Sequence, residues 1–127
     1  MGPGETLVSS TNWRAYQSPI GSPSTADNVA RYICRHAQCV VISVDYRLAP
    51  EHPFPAAVED AWAAFSWAVT HAAELGCDPR RVLVGGDSAG GTLSAVVAQL
   101  ARKPGSPRLA GQLLFYAATD CAAMDTP

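Results

Sequence analysis

The order of apolar runs predicts an α/β protein, a three-layer α/β/α arrangement around a mostly parallel sheet of about three core strands. Three observations carry that reading. Helical and strand patterns alternate, and each strand is joined to the next by a helical crossover, which implies parallel neighbours and right-handed connections. Two apolar runs, Val40–Val44 and Val82–Val84, are rich in β-branched residues and too short for helices, as expected of buried strands. The second stops at Gly85-Gly86 and gives way within a few residues to a helical pattern, marking a sharp strand-to-helix corner.

Residues 1–25 carry Gly2, Pro3, Gly4, Pro19, Gly21 and Pro23 among many serines and predict irregular structure, Leu7-Val8 being too short to stand as a strand. A helix is predicted from Ala26 to Gln38, capped by Ser24 or Thr25, with Val29, Ala30, Ile33 and Ala37 on one face. The Val40–Val44 strand follows. Asp45 to Pro55 must be a loop, because Pro50, Pro53 and Pro55 forbid a regular element. A second helix is predicted from Ala56 to Leu75, with Val58, Ala61, Trp62, Phe65, Ala68, Val69 and Ala72 along one stripe and Gly76 closing it. Asp78-Pro79-Arg80 reads as a turn into the Val82 strand. The helix after Ser88 turns Leu93, Val96, Val97 and Leu100 to a core and ends at Pro104-Gly105. Gln112–Tyr116 reads as the third strand, and the last eleven residues as loop. In such sheets, sites lie beyond the carboxyl ends of the strands, which puts Ser88 and the Asp45–Pro55 loop at one edge.

Composition narrows the function classes. The chain has 127 residues, 48% apolar and 16% charged, the profile of one small globular domain. The net charge is −2 and the basic residues are scattered, so no nucleic-acid partner is expected. No run approaches membrane-spanning length, and the start lacks the basic and apolar stretches of a secretory signal, so a cytoplasmic location is expected. Gly2 and Thr6 fit a myristoylation pattern that Pro3 makes a poor acceptor. Cys34, Cys39, Cys77 and Cys121 show no zinc spacing and no C-x-x-C, and are expected to be reduced and mostly buried, with no metal bound.

Chemistry concentrates at the corner. Gly86-Asp87-Ser88-Ala89-Gly90 fits G-x-S-x-G, the nucleophile elbow. A serine there must take a strained backbone conformation to present its hydroxyl above the strand ends. Flanking glycines let the neighbouring backbones pass closely, and the following helix aims free amides and its positive dipole end at the same spot. Gly86 to Thr92 also fits a phosphate-cradling loop, except that Gly91 stands where that loop needs lysine. The plain alternative is a glycine-rich turn with an incidental serine.

Three stretches together go further: Val44-Asp45-Tyr46-Arg47-Leu48-Ala49-Pro50-Glu51-His52-Pro53-Phe54-Pro55-Ala56-Ala57, then Val58-Glu59-Asp60-Ala61, then Gly86-Asp87-Ser88-Ala89-Gly90-Gly91. In combination they resemble the hormone-sensitive-lipase-like bacterial carboxylesterases of the α/β-hydrolase superfamily, from about Gly21 to Pro127. The resemblance implies a partial α/β-hydrolase fold and hydrolysis of small carboxylic esters, with no metal or organic cofactor. It implies Ser88 as nucleophile, the Ala89 amide as an oxyanion donor, and Gly86, Gly90 and Gly91 as close-packing glycines. Asp45, Tyr46, Arg47 and Glu51 match a loop shaping the pocket floor, where a buried, salt-bridged brace is expected rather than a catalytic role.

The departures matter as much. Residues 1–20 are expected to be an irregular segment unlike the family, with 21–127 as the domain that carries the elbow. Upstream of Ile20-Gly21-Ser22 the chain reads Asn12-Trp13-Arg14-Ala15-Tyr16-Gln17-Ser18-Pro19, where the family has a His-Gly-Gly-Gly type segment and a strand leading into it. His36, His52 and His71 all precede Ser88, although the family places its histidine after the nucleophile. Asp120 and Asp125 come too early to match the family acid, and His52 belongs to the proline-rich loop, where a structural role is expected. The chain thus reads as the middle of such an esterase, from a truncated or frame-shifted gene, with little activity alone. Alternatives from other classes are a non-catalytic ligand-binding relative, as plant gibberellin receptors are, and a fragment that pairs through bare sheet edges with a second copy or a complementary chain.

Overall fold

The computed structural model describes residues 6–9 and 23–120. In chain order the elements are β1 (Thr6–Ser9), α1 (Pro23–Ala37), β2 (Val40–Ser43), α2 (Ala56–His71), a 3-10 turn (Pro79–Arg81), β3 (Val82–Asp87), α3 (Ser88–Leu100) and β4 (Gly111–Phe115). The four strands form one parallel sheet in the order β2-β1-β3-β4. The α/β class and the parallel sheet follow the sequence expectation.

The first strand does not. The stretch expected to be irregular supplies a strand inside the sheet, with Thr6 to Ser9 pairing with Val40–Ser43 on one side and Val82–Gly85 on the other. Four residues are too few for a period-two pattern to show, and their conformation is set by the two ladders they complete. Thr6 and Val8, two apart and so on one face, are 0% and 1% exposed.

Register lines up one apolar layer across the sheet. Thr6 stands beside Val40 and Val82, and Val8 beside Ile42 and Val84. That layer meets Ala61, Phe65 and Ala68 of α2 and Leu93 and Val97 of α3, and Phe65 is fully buried. α2 also packs on α3. The chain moves one way from β1 to β2 and the opposite way from β2 to β3 and β4. Right-handed crossovers therefore put α1 on one face and α2 and α3 on the other. None of α1's described side chains joins the buried cluster, and Val29 and Tyr32 are 48% and 65% exposed. The predicted apolar face of α1 is thus only half covered.

Element ends differ in instructive ways. Gly85 and Gly86 interrupt the apolar run but not the ladder, because they still pair with Leu113 and Leu114; β3 therefore continues to Asp87. α1 stops at Ala37, with Gln38 left-handed (φ 52°) in the place glycine usually takes. α2 stops at His71, four residues short of the expected end, and a run of turns leads to Gly76 at φ +74°. Cys39 and Cys77 are buried as expected, whereas Cys34 is exposed on α1; Cys121 lies outside the described residues. Among the described residues no helix is long and apolar enough to cross a membrane.

The position of β1 gives a direct test. Val8→Asp would bury an unpaired carboxylate between two strands and is expected to abolish the cooperative unfolding transition followed by circular dichroism. An irregular amino terminus would tolerate the change.

Candidate active site

The direction of travel along the sheet reverses between β1 and β3, and the crevice beyond their carboxyl ends is where open α/β sheets hold ligands. Ser88 sits at that edge, on the junction of β3 and α3. Asp87 before it is extended (φ −110°, ψ 148°), and Ser88 itself is left-handed (φ 48°) and exposed. A non-glycine residue in that region costs on the order of 1–2 kcal/mol and persists only where its surroundings over-determine it.

Those surroundings are now visible. A Cβ on Gly91 would lie 2.8 Å from the Ala117 Cβ and 3.0 Å from the Gly86 carbonyl oxygen, so the first turn of α3 is pressed against both the end of β3 and the segment leaving β4. Gly86 and Gly90 are buried, and the Gly90 carbonyl accepts the Ser94 hydroxyl at 2.9 Å. Thr92 Oγ1 donates to the Ala118 carbonyl at 2.8 Å. Tyr116, itself left-handed (φ 40°), donates its hydroxyl to Asp87 Oδ2 at 3.2 Å. The Asp87 charge raises the Tyr116 pKa; burial, with a smaller contribution from Asp87, raises that of Tyr46. Ala89 opens α3 beside Ser88, among the backbone amides a helix leaves without intrahelical partners.

The loop after β2 reaches the same edge, and its brace is real. Arg47 donates from Nε and Nη2 to Asp60 on α2 at 2.8–3.0 Å, and its backbone amide adds a bond to Asp60 Oδ2 at 2.8 Å. A weaker contact reaches Glu59 at 3.5 Å. The expected buried pair is half-exposed, however, with the Arg47 and Asp60 side chains 45% and 26% accessible. The buried member of the loop is Tyr46, at 4%, while Asp45 and Glu51 are exposed.

None of the three histidines hydrogen-bonds Ser88. His36 packs on Tyr32 along α1, with ring centroids 4.2 Å apart. His71 stacks on Trp67 and donates Nδ1–H to its carbonyl at 2.9 Å. His52 is exposed in the proline-rich loop, close enough to Asp60 to help lower its pKa. Among the described residues no side chain hydrogen-bonds Ser88 Oγ. The structure places Gly86 near the end of β3 and Ser88, Ala89, Gly90 and Gly91 in the first turn of α3. It adds Tyr116, Ala117, Ala118 and Thr92, which the motif gave no means of finding, since three of the four follow a different strand. Asp120 is exposed, and Asp125 lies outside the described residues.

A parallel sheet that presents a left-handed serine between a strand and a helix is the architecture of an α/β hydrolase. The chain belongs to the α/β-hydrolase fold family, which matches residues 18–127, and within it to the hormone-sensitive-lipase-like carboxylesterases. The carboxylesterase NlhH of Mycobacterium tuberculosis is 58% identical over 100 residues, 79% of this chain and 31% of that protein. The carboxylic ester hydrolase LipN of the same organism is 57% identical over 109 residues, 82% of this chain and 29% of that protein. The crystal structure of EstE1, a thermostable carboxylesterase from a metagenomic library, matches with a TM-score of 0.84 at 42% identity, over 98% of this chain and 42% of that one. The chain spans about a third of the length of these curated relatives.

Gly91→Ala is expected to destabilise the fold by about 1–3 kcal/mol in urea unfolding, because backbone and a short side chain must both move to admit the methyl group. A second expectation concerns acid. Asp60 is held below its ordinary 3.8, first by the Arg47 hydrogen bonds, and Asp78 is lowered to about 2 by its bonds from Arg80. A depressed carboxylate stabilises the fold fully above its unfolded value, and that contribution is lost as pH falls through the folded one. Melting temperature should therefore fall below about pH 4, and Arg47→Ala should flatten that fall, read from melts at stepped pH.

Proposed function

We propose that this chain is the nucleophile-bearing part of a serine carboxylic ester hydrolase, with residues 21–127 and the β1 strand as its domain. The left-handed Ser88 at the sheet's reversal point carries the reading. The relatives support it, because NlhH and EstE1 are carboxylesterases and LipN a carboxylic ester hydrolase by name. Ser88 Oγ would attack the ester carbonyl carbon while its proton passes to a base. The tetrahedral oxyanion would take the Ala89 amide as a donor. Collapse would expel the alcohol with that proton and leave an acyl-serine, which water then hydrolyses, returning the acid and free Ser88. The scheme needs no metal or organic cofactor.

The base is the weak point of these residues alone. Serine needs a positioned base, and losing it in a triad enzyme costs about a million-fold in turnover. Since no imidazole of the chain bonds Ser88, the 127 residues by themselves are expected to hydrolyse esters little above background. A second, interaction reading rests on the β4 side of the sheet, where Leu114 and Phe115 are 37% and 51% exposed. Pairing there with another copy or a complementary chain would cover them.

The test is to treat the chain with a fluorophosphonate and to assay a short aryl ester. The expected result is slow labelling confined to Ser88, abolished by Ser88→Ala, with turnover close to the uncatalysed rate. Hydrolysis that survives Ser88→Ala would remove the serine from the mechanism, and fast turnover by the unmodified chain would overturn the requirement for an outside base.

A further inference from the structure

Asp87 occupies the N-cap position of α3, where aspartate is among the most favoured residues because its carboxylate accepts from the second or third amide of the helix. Those amides belong to Ala89 and Gly90. Here the side chain makes no such bond. It is turned instead toward β4, where the Tyr116 hydroxyl donates to Oδ2 at 3.2 Å.

Tyr116 can make that bond because of its backbone. It stands one residue beyond β4 with φ 40°, and Ala117 and Ala118 after it contact Gly91 and Thr92 of α3. The chain leaving β4 is thus anchored on α3 at two points, and the phenol is brought back over the residue before the serine.

We propose that Tyr116 is a positioning residue for the hydrolytic site, acting through Asp87: it holds that carboxylate off the first turn of α3 and so keeps the Ala89 amide open for an oxyanion. The proposal rests on the ester-hydrolase reading, in which Ala89 is a donor. Two costs are avoided by the diversion. A capping carboxylate would occupy the N–H that the tetrahedral oxyanion needs. It would also set a negative charge against the place where negative charge develops. The geometry gives Asp87 one hydrogen bond in place of another, so the arrangement need not be less stable than the capped one.

The experiment compares the full chain with Tyr116→Phe, Asp87→Asn and the double variant Tyr116→Phe/Asp87→Ala, using two readouts. The first is amide hydrogen exchange at Ala89 and Gly90. In Tyr116→Phe the released carboxylate is expected to cap the helix and slow exchange at one of these amides about tenfold, while Asp87→Asn, which still accepts from Tyr116, exchanges as the parent does. Exchange at the parent rate in Tyr116→Phe would overturn the proposal. The second is the rate of fluorophosphonate labelling of Ser88, expected to drop about tenfold in Tyr116→Phe and to recover in the double variant, which has no carboxylate to misplace. A side chain that merely braced the fold would not be rescued by a second deletion, so a double variant as slow as Tyr116→Phe would also overturn it. A parent chain that takes no label at all counts against the ester-hydrolase reading, and the exchange readout then decides the Asp87 question alone. Tyr116 is 76% exposed, and its loss is not expected to unfold the chain.

Discussion

Everything at the reactive edge depends on one backbone conformation, the left-handed turn at Ser88. β3 delivers the chain extended, α3 must begin at once, and only a residue at positive φ joins the two without a loop. In a nucleophile elbow that geometry lifts the hydroxyl clear of the strand ends, beside the free amides of the following helix. The strain persists because the elements around it leave little room to relax: β3 is paired up to Asp87, and α3 lies so close to the β4 exit that a Cβ on Gly91 would force its neighbours to shift.

The same constraint explains the uneven quality of the packing. The face of the sheet that supports the turn is the well-built one, where Val8, Val82 and Val84 meet Phe65, Ala68 and Val97 in a buried cluster. The opposite face and the β4 side are looser, with Val29 and Tyr32 of α1 and Phe115 and Tyr116 beyond the core all largely exposed. The Arg47–Asp60 brace lies at the rim, tying the proline-rich loop to α2 with geometry good enough to matter although the pair is partly wet.

Asp87 is chemically suited to cap α3, and the structure directs it elsewhere. An aspartate beside a proposed nucleophile invites a catalytic role. Its observed partner is a tyrosine just beyond the neighbouring strand β4.

The amino-acid sequence by itself determined the α/β class, the alternation of elements, the serine corner and the family. Each of these is written in short-range terms: β-branched runs at Val40 and Val82, an apolar stripe through Phe65, and glycines at fixed offsets from Ser88. Only the tertiary structure decided that Thr6–Ser9 is an inner strand, that none of the three histidines hydrogen-bonds the serine hydroxyl, and that Tyr116 reaches Asp87 from 29 residues away. The reason is physical. A four-residue strand has too little pattern of its own, and its conformation is fixed by hydrogen bonds to two distant partners, just as the direction of a side chain at a strand end is fixed by whatever the sheet brings beside it.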